Sequence, residues 1–213
     1  MCSSDLGVHT LEAPVTGGAH NASSATITVL VGGDDATFAR HRSVFEAVGG
    51  RVFFLGELGQ AAVIKVITNM LAFIHIAATA EAYMLAARAG IDLRLAWEVI
   101  RASSGNSFIH ETESTTILSG SYDIGFSLDL SCKDLGFATQ LGRELDVPLD
   151  IAGLVEQLNI RARAAYGGSA GSPMVARLLE TACGVDLRAP GFPATLDEYL
   201  ATMPRAERVH DQP

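Results

Sequence analysis

The stretch from Gln60 to about Ala89 reads as one long helix stopped at Gly90, and it constrains the rest of the chain more than any other segment. Its apolar residues surround the cylinder instead of forming one stripe, which predicts a helix buried on most sides. Within it the most apolar run, Val66–Ala80, falls short of the ~20 residues that span a bilayer. Asn69 and His75 interrupt that run and Glu81 follows it, so the expected element is a core helix and not a membrane span.

The residues before this helix have a different rhythm. Leu11–Val15 and Ala25–Val31 read as strands, the first followed by the turn Thr16-Gly17-Gly18 and the second closed by Gly32-Gly33. Asp34 or Asp35 can cap a helix running to about Val48, with Phe38, Val44 and Phe45 on its apolar side. Gly49-Gly50 ends it and Arg51–Leu55 is a further strand. After Gly56 the strands stop. Helices are expected at about 93–102, 110–118, 128–145, 151–166 and 172–182, punctuated by Gly120, Gly142, Pro148 and the stretch Gly167–Pro173.

The fold class this implies is an α/β remnant of a Rossmann-type domain, residues 7–56, followed by an all-α domain with a long central helix, residues 57–184. Residues 185–213, with Pro190, Pro193, Pro204 and Pro213, read as a loosely ordered tail. So few strands cannot easily cover their own edges, so the layout reads as one that lacks an N-terminal part. Residues 1–6 fit that reading: Cys2-Ser3-Ser4-Asp5-Leu6 can be encoded by the end of a common sequencing-library adapter, which makes them a candidate assembly artefact.

Composition narrows the function. The 213 residues are 48% hydrophobic and 18% charged, enough for a sizeable core. A formal net charge of −9 with no basic cluster argues against a nucleic-acid surface. Cys2, Cys132 and Cys183 are far apart, with neither disulfide-framework nor metal-ligand spacing. No signal-peptide layout opens the chain, and the cytoplasm is the expected compartment.

Against that background Lys65 stands out, a charge near the head of an apolar helix with almost no other charge until Glu81. Desolvation there lowers a lysine's pKa toward the range useful in proton transfer. Asn69, four residues on, shares its face and can hold a hydroxyl or carbonyl oxygen beside the ammonium. Spacing alone favours the plainer reading, a lysine snorkelling to the surface and an asparagine bonded within the helix. Thr16-Gly17-Gly18 follows a strand, where consecutive glycine amides can form a nest for a carboxylate, although such a turn is often only a turn.

The polar loop Ser103–Ser107, with Gly105 at its centre, can line a cleft or simply cap helices. Lys133, next to Asp134 and four residues after Asp129, reads by default as half of a surface ion pair. His75 reads as a core residue. The Gly167–Gly171 stretch follows a helix, so it is not a dinucleotide fingerprint, and no G-x-G-x-x-G occurs.

Taken together these segments resemble the β-hydroxyacid dehydrogenase family, which includes 3-hydroxyisobutyrate dehydrogenase, tartronate semialdehyde reductase and, more distantly, 6-phosphogluconate dehydrogenase. Glu12-Ala13-Pro14-Val15-Thr16-Gly17-Gly18 is similar to the family's D-A-P-V-S-G-G segment, and Val31-Gly32-Gly33-Asp34 to its V-G-G-D strand end. Gly56-Glu57-Leu58-Gly59 through Lys65 and Asn69 resembles G-x-x-G-x-G-x-x-x-K-x-x-x-N, while Thr79-Ala80-Glu81-Ala82, Ser103-Ser104-Gly105 and Lys133-Asp134-Leu135-Gly136 fall in the family's order.

The resemblance implies Lys65 as the catalytic lysine, Asn69 as its substrate-orienting partner, and Thr16, Gly17 and Gly18 as the holders of the substrate carboxylate. It places Gly105 near the substrate cleft and Lys133 near a cofactor, NAD or NADP. It implies a small carboxylate-bearing hydroxy acid as substrate and a homo-oligomer as the assembly, with neither nucleic acid nor membrane as partner. Two residues depart from the pattern: Thr16 replaces the usual Ser, and Ala61 stands where a second Gly often occurs. The family's glycine-rich loop and ribose-binding acidic residue are not in this sequence. The rival reading is a catalytically incompetent helical dimerisation module.

Overall fold

The computed structural model describes residues 7–202. Residues 1–6 and 203–213, and with them the suspected artefact and the end of the tail, lie outside the described residues. The chain forms two compact units, Met1–Thr68 and Asn69–Pro213, which part within one helix.

The first unit is built on β3 (Thr28–Gly33), whose Val29, Leu30 and Val31 are buried. On it lie β1 (Leu11–Glu12) and β2 (Val15–Thr16), both antiparallel, in one continuous register from Leu11↔Gly33 to Thr16↔Thr28. The expected strand 11–15 is thus interrupted at Ala13-Pro14, although the Pro14 carbonyl still accepts the Leu30 N–H at 2.9 Å. Proline has no N–H to offer the ladder, which accounts for the break. β4 (Arg51–Phe54) pairs with β3 in parallel.

Between β2 and β3 a short helix, α1 (Gly18–Ser23), fills what reads in sequence as a turn and loop. The turn that follows it holds Ala25, a non-glycine residue, at φ 55°. α2 (Asp35–Val48) starts at Asp34, whose carboxylate accepts the Thr37 N–H at 2.8 Å and hydroxyl at 2.7 Å. Phe38 stacks on Phe54 with ring centroids 4.7 Å apart and closes a small core with Ile27, Val29 and Val31. Val44, expected on this face, is 58% exposed. The helical period that turns Phe38 and Phe45 inward turns Val44 away.

α3 (Gln60–Arg88) begins in the first unit and supplies the spine of the second. It is long and apolar enough, by length and composition alone, to cross a membrane. Its Phe73, Ile76, Ala77, Ala80, Tyr83 and Met84 nevertheless pack in a protein core. The expectation of burial on most sides is corrected: Leu71 is exposed and Leu85 is 73% exposed. Among the described residues seven α-helices follow: α4 (Leu93–Arg101), α5 (Phe108–Glu111), α6 (Ser114–Ser119), α7 (Leu128–Glu144), α8 (Asp150–Tyr166), α9 (Val175–Cys183) and α10 (Leu196–Thr202). Tyr83, Ile117, Leu118, Leu128, Leu135 and Leu187 are the most deeply buried large side chains of their core. The expected helix 110–118 is two short helices, and 172–182 opens with a 3-10 turn, Ser172–Met174, that carries Pro173.

Over residues 185–202 the tail reading is also corrected. Leu187, Ala189, Leu196 and Tyr199 are core residues. Glu180, buried, accepts the Leu187 N–H at 2.7 Å and Arg188 Nη1 at 2.8 Å, while Arg188 Nη2 donates to the Tyr122 hydroxyl at 2.9 Å. α10 begins with a capping box. The Thr195 hydroxyl accepts the Glu198 N–H at 3.2 Å, and the Glu198 carboxylate accepts the N–H groups of Ala194 and Thr195 at 3.1 and 3.4 Å.

Candidate active site

In the first unit, β2 ends at Thr16 and α1 starts at Gly18, so the chain must turn within two residues. Gly17 at φ 120° and Gly18 at φ 82° make that turn, both in a region that L side chains avoid. Thr16 and Gly17 are half-buried and Gly18 is exposed. A Cβ on Gly17 would lie 2.8 Å from Nδ2 of Asn21, a residue of α1 that sequence reading passed over.

Lys65 is half-buried in the first turns of α3, and its carbonyl accepts the Thr68 hydroxyl at 2.9 Å. The start of that helix is fixed from the strand side. Glu12 Oε1 accepts the N–H groups of Gly59 and Ala61, each at 2.8 Å. A carboxylate at a helix N-terminus satisfies otherwise orphaned amides and complements the helix dipole. Glu12 is therefore a second residue sequence reading did not single out. Its signal is the acidic residue that opens the Glu12–Gly18 segment. The same contact explains Gly32, where a Cβ would fall 2.4 Å from the Glu12 carboxylate oxygen. Ala61 is fully buried in the first turn, so the departure from glycine there is absorbed into regular helix.

In the second unit, Asn69 Nδ2 donates to Asp134 Oδ2 at 2.7 Å, and Lys133 Nζ lies 3.1 Å from Asp134 Oδ1. Asp134 is buried and Lys133 is half exposed, with its ammonium 5.9 Å from the Phe137 ring centre. Asn69 and Lys133 thus share one carboxylate. The ion pair expected at Lys133 forms with the neighbouring Asp134, while Asp129 meets Arg163 at 3.8 Å.

The Ser103–Ser107 loop is tied down by its own side chains. Ser103 Oγ donates to the Ile100 carbonyl and accepts the Gly105 N–H, Asn106 Oδ1 accepts the Ser107 N–H, and Ser107 caps α5 through the His110 N–H. Gly105 is exposed at its tip. His110, buried between Tyr83 and Trp97, meets Asn106 Oδ1 through Nδ1 at 3.2 Å, and burial pulls its pKa down to about 4. His75 is half-buried on α3. Among the described residues no group of His, Cys, Asp and Glu is placed to hold a metal ion.

Comparison with known proteins meets this geometry from outside. A family model described as NAD-binding of NADP-dependent 3-hydroxyisobutyrate dehydrogenase matches residues 59–179, more than half of the chain. A second, the NAD binding domain of 6-phosphogluconate dehydrogenase, matches residues 3–56. The chain is 38% identical over 164 residues to an L-threonate dehydrogenase of Escherichia coli, a match covering 76% of this chain and 54% of that protein. It is 31% identical to the 2-(hydroxymethyl)glutarate dehydrogenase of Eubacterium barkeri, over 87% of this chain and 62% of that one. A crystal structure of 3-hydroxyisobutyrate dehydrogenase from Salmonella typhimurium superposes with a TM-score of 0.76 at 34% identity, covering 82% of this chain and 62% of that one. The chain spans a little over half the length of these relatives. An N-terminal α/β unit, a helical unit around α3 and matches over both parts make the chain a member of the 3-hydroxyisobutyrate dehydrogenase family.

Proposed function

We propose that this chain supplies the substrate side of an NAD(P)-dependent oxidoreductase that interconverts a small β-hydroxy acid and its semialdehyde or keto acid. The observation that carries the reading is the tie between its two catalytic segments: Glu12, at the head of the segment that ends in Thr16-Gly17-Gly18, caps the helix that bears Lys65. In this reading the Thr16 hydroxyl and the glycine amides hold the substrate carboxylate. Lys65 Nζ takes the hydroxyl proton when the substrate is oxidised and returns it to the alkoxide when the carbonyl is reduced. Asn69, one helical turn on, steadies the reacting oxygen. Gly105, exposed at the tip of its loop, is the further residue of the helical unit to which this reading gives a place near the substrate.

A bound nicotinamide cofactor supplies the hydride chemistry. The residues present fit it in part: Lys133, held by Asp134 and half exposed, can meet one of its anionic groups. No G-x-G-x-x-G turn follows a strand among the described residues, so the main phosphate cradle is not supplied by them.

The direct test joins this chain to the part of the E. coli L-threonate dehydrogenase that it does not match. The chimera is then followed by NAD(P)H absorbance with 3-hydroxyisobutyrate and L-threonate. Turnover of either acid supports the reading; none with either, in a folded chimera that binds cofactor, overturns it.

A second reading, a helical dimerisation module, is favoured by the exposed apolar residues Leu85, Ile151 and Leu154. Sedimentation of the chain alone tests it, with a dimer expected and a monomer contradicting it.

A further inference from the structure

Asn21 is 8% exposed, and its Nδ2 has no hydrogen-bond partner among the described residues. A buried amide donor without a partner carries a cost that native structures rarely leave uncompensated. Asn21 Oδ1 accepts the Thr26 hydroxyl at 3.3 Å, and the Asn21 carbonyl accepts the Thr26 N–H at 2.8 Å. These bonds close the chain after α1 and leave Nδ2 aimed at the Thr16-Gly17-Gly18 turn, where a Cβ on Gly17 would lie 2.8 Å from it. Glycine at position 17 therefore does two things: it adopts φ 120°, and it leaves room for Nδ2 against the turn.

We infer that Asn21 is a specificity-determining residue whose side-chain amide donates to the carboxylate of the substrate held at this turn. The inference rests on the proposed role of Thr16-Gly17-Gly18 and adds to it a donor from the following helix. A carboxylate there meets a hydroxyl and a primary amide, an arrangement that favours an anionic acceptor over the neutral ester or amide of the same acid. The orphaned donor acquires its partner only when such a ligand binds.

The test is 1H–15N NMR on the whole 213-residue chain titrated with 3-hydroxyisobutyrate, with its methyl ester as the neutral control. The expected result is that the Gly17 and Gly18 amides and the Asn21 side-chain NH2 pair shift together on adding the acid and not the ester. Asn21→Ala should then weaken binding by about ten-fold, with the rest of the spectrum in place. Shifts at Gly17 and Gly18 without movement of the Asn21 NH2 pair would overturn the inference and leave the role of the turn standing. No shift at the turn would overturn both. The wild-type side-chain signal decides the matter even if the variant fails to fold.

Discussion

The side-chain amide of Asn69 on α3 donates to the carboxylate of Asp134 on α7 at 2.7 Å, and the same carboxylate meets Lys133 at 3.1 Å. One buried acid thus orients both the residue proposed to steady the reacting oxygen and the cation proposed to meet the cofactor. Asp134→Leu removes the acceptor from both. Urea denaturation should show a loss of roughly 1–3 kcal/mol, as for a buried polar group deprived of its partner. Asp134→Asn, which keeps an acceptor, should lose less. Equal losses would mean that the hydrogen bond is not what holds α3 to α7 here.

Glu12 should behave as the cap of α3. Glu12→Ala is expected to cost about 1 kcal/mol of stability, the usual worth of an N-terminal cap, with faster hydrogen exchange at Gly59 and Ala61. Unchanged exchange at those two amides would refute the capping role.

Ala25 sits at φ 55°, where a Cβ is unfavourable. Ala25→Gly should raise unfolding stability by about 1 kcal/mol, the relief of left-handed strain less the added flexibility of the unfolded chain. A fall in thermal midpoint would contradict the strain.

His110 supplies a pH dependence. Burial holds its pKa at about 4, below the ordinary 6.5. The unfolded state therefore takes up the proton first as pH falls. Its contribution to stability is complete above about 6.5 and is lost progressively as pH drops toward 4. His110→Phe should flatten the loss of thermal midpoint between pH 7 and pH 4. Parallel curves for variant and parent would show that His110 does not titrate in that window.

Periodicity made α3 legible almost to the residue, because a long helix without punctuation has few alternatives, and the V-G-G-D strand end likewise marked the close of β3. What periodicity could not supply was the partner of each polar group. The role of Asp134 depends on α7 meeting α3, and that of Glu12 on a strand meeting a helix start many residues away. α10 was hidden because the prolines around it outweighed its Thr195-Leu196-Asp197-Glu198 capping box, a signal present in the sequence. The exposure of Leu85 follows from how many neighbours the helix has, which its own apolarity does not encode.

In the proposed reaction Lys65 moves the proton. The most direct test is Lys65→Ala in the chimera with the E. coli L-threonate dehydrogenase portion, with turnover and cofactor binding measured side by side. A fall in kcat of about 100-fold or more is expected, with cofactor affinity unchanged. Near-parental kcat in the Lys65→Ala chimera would contradict it.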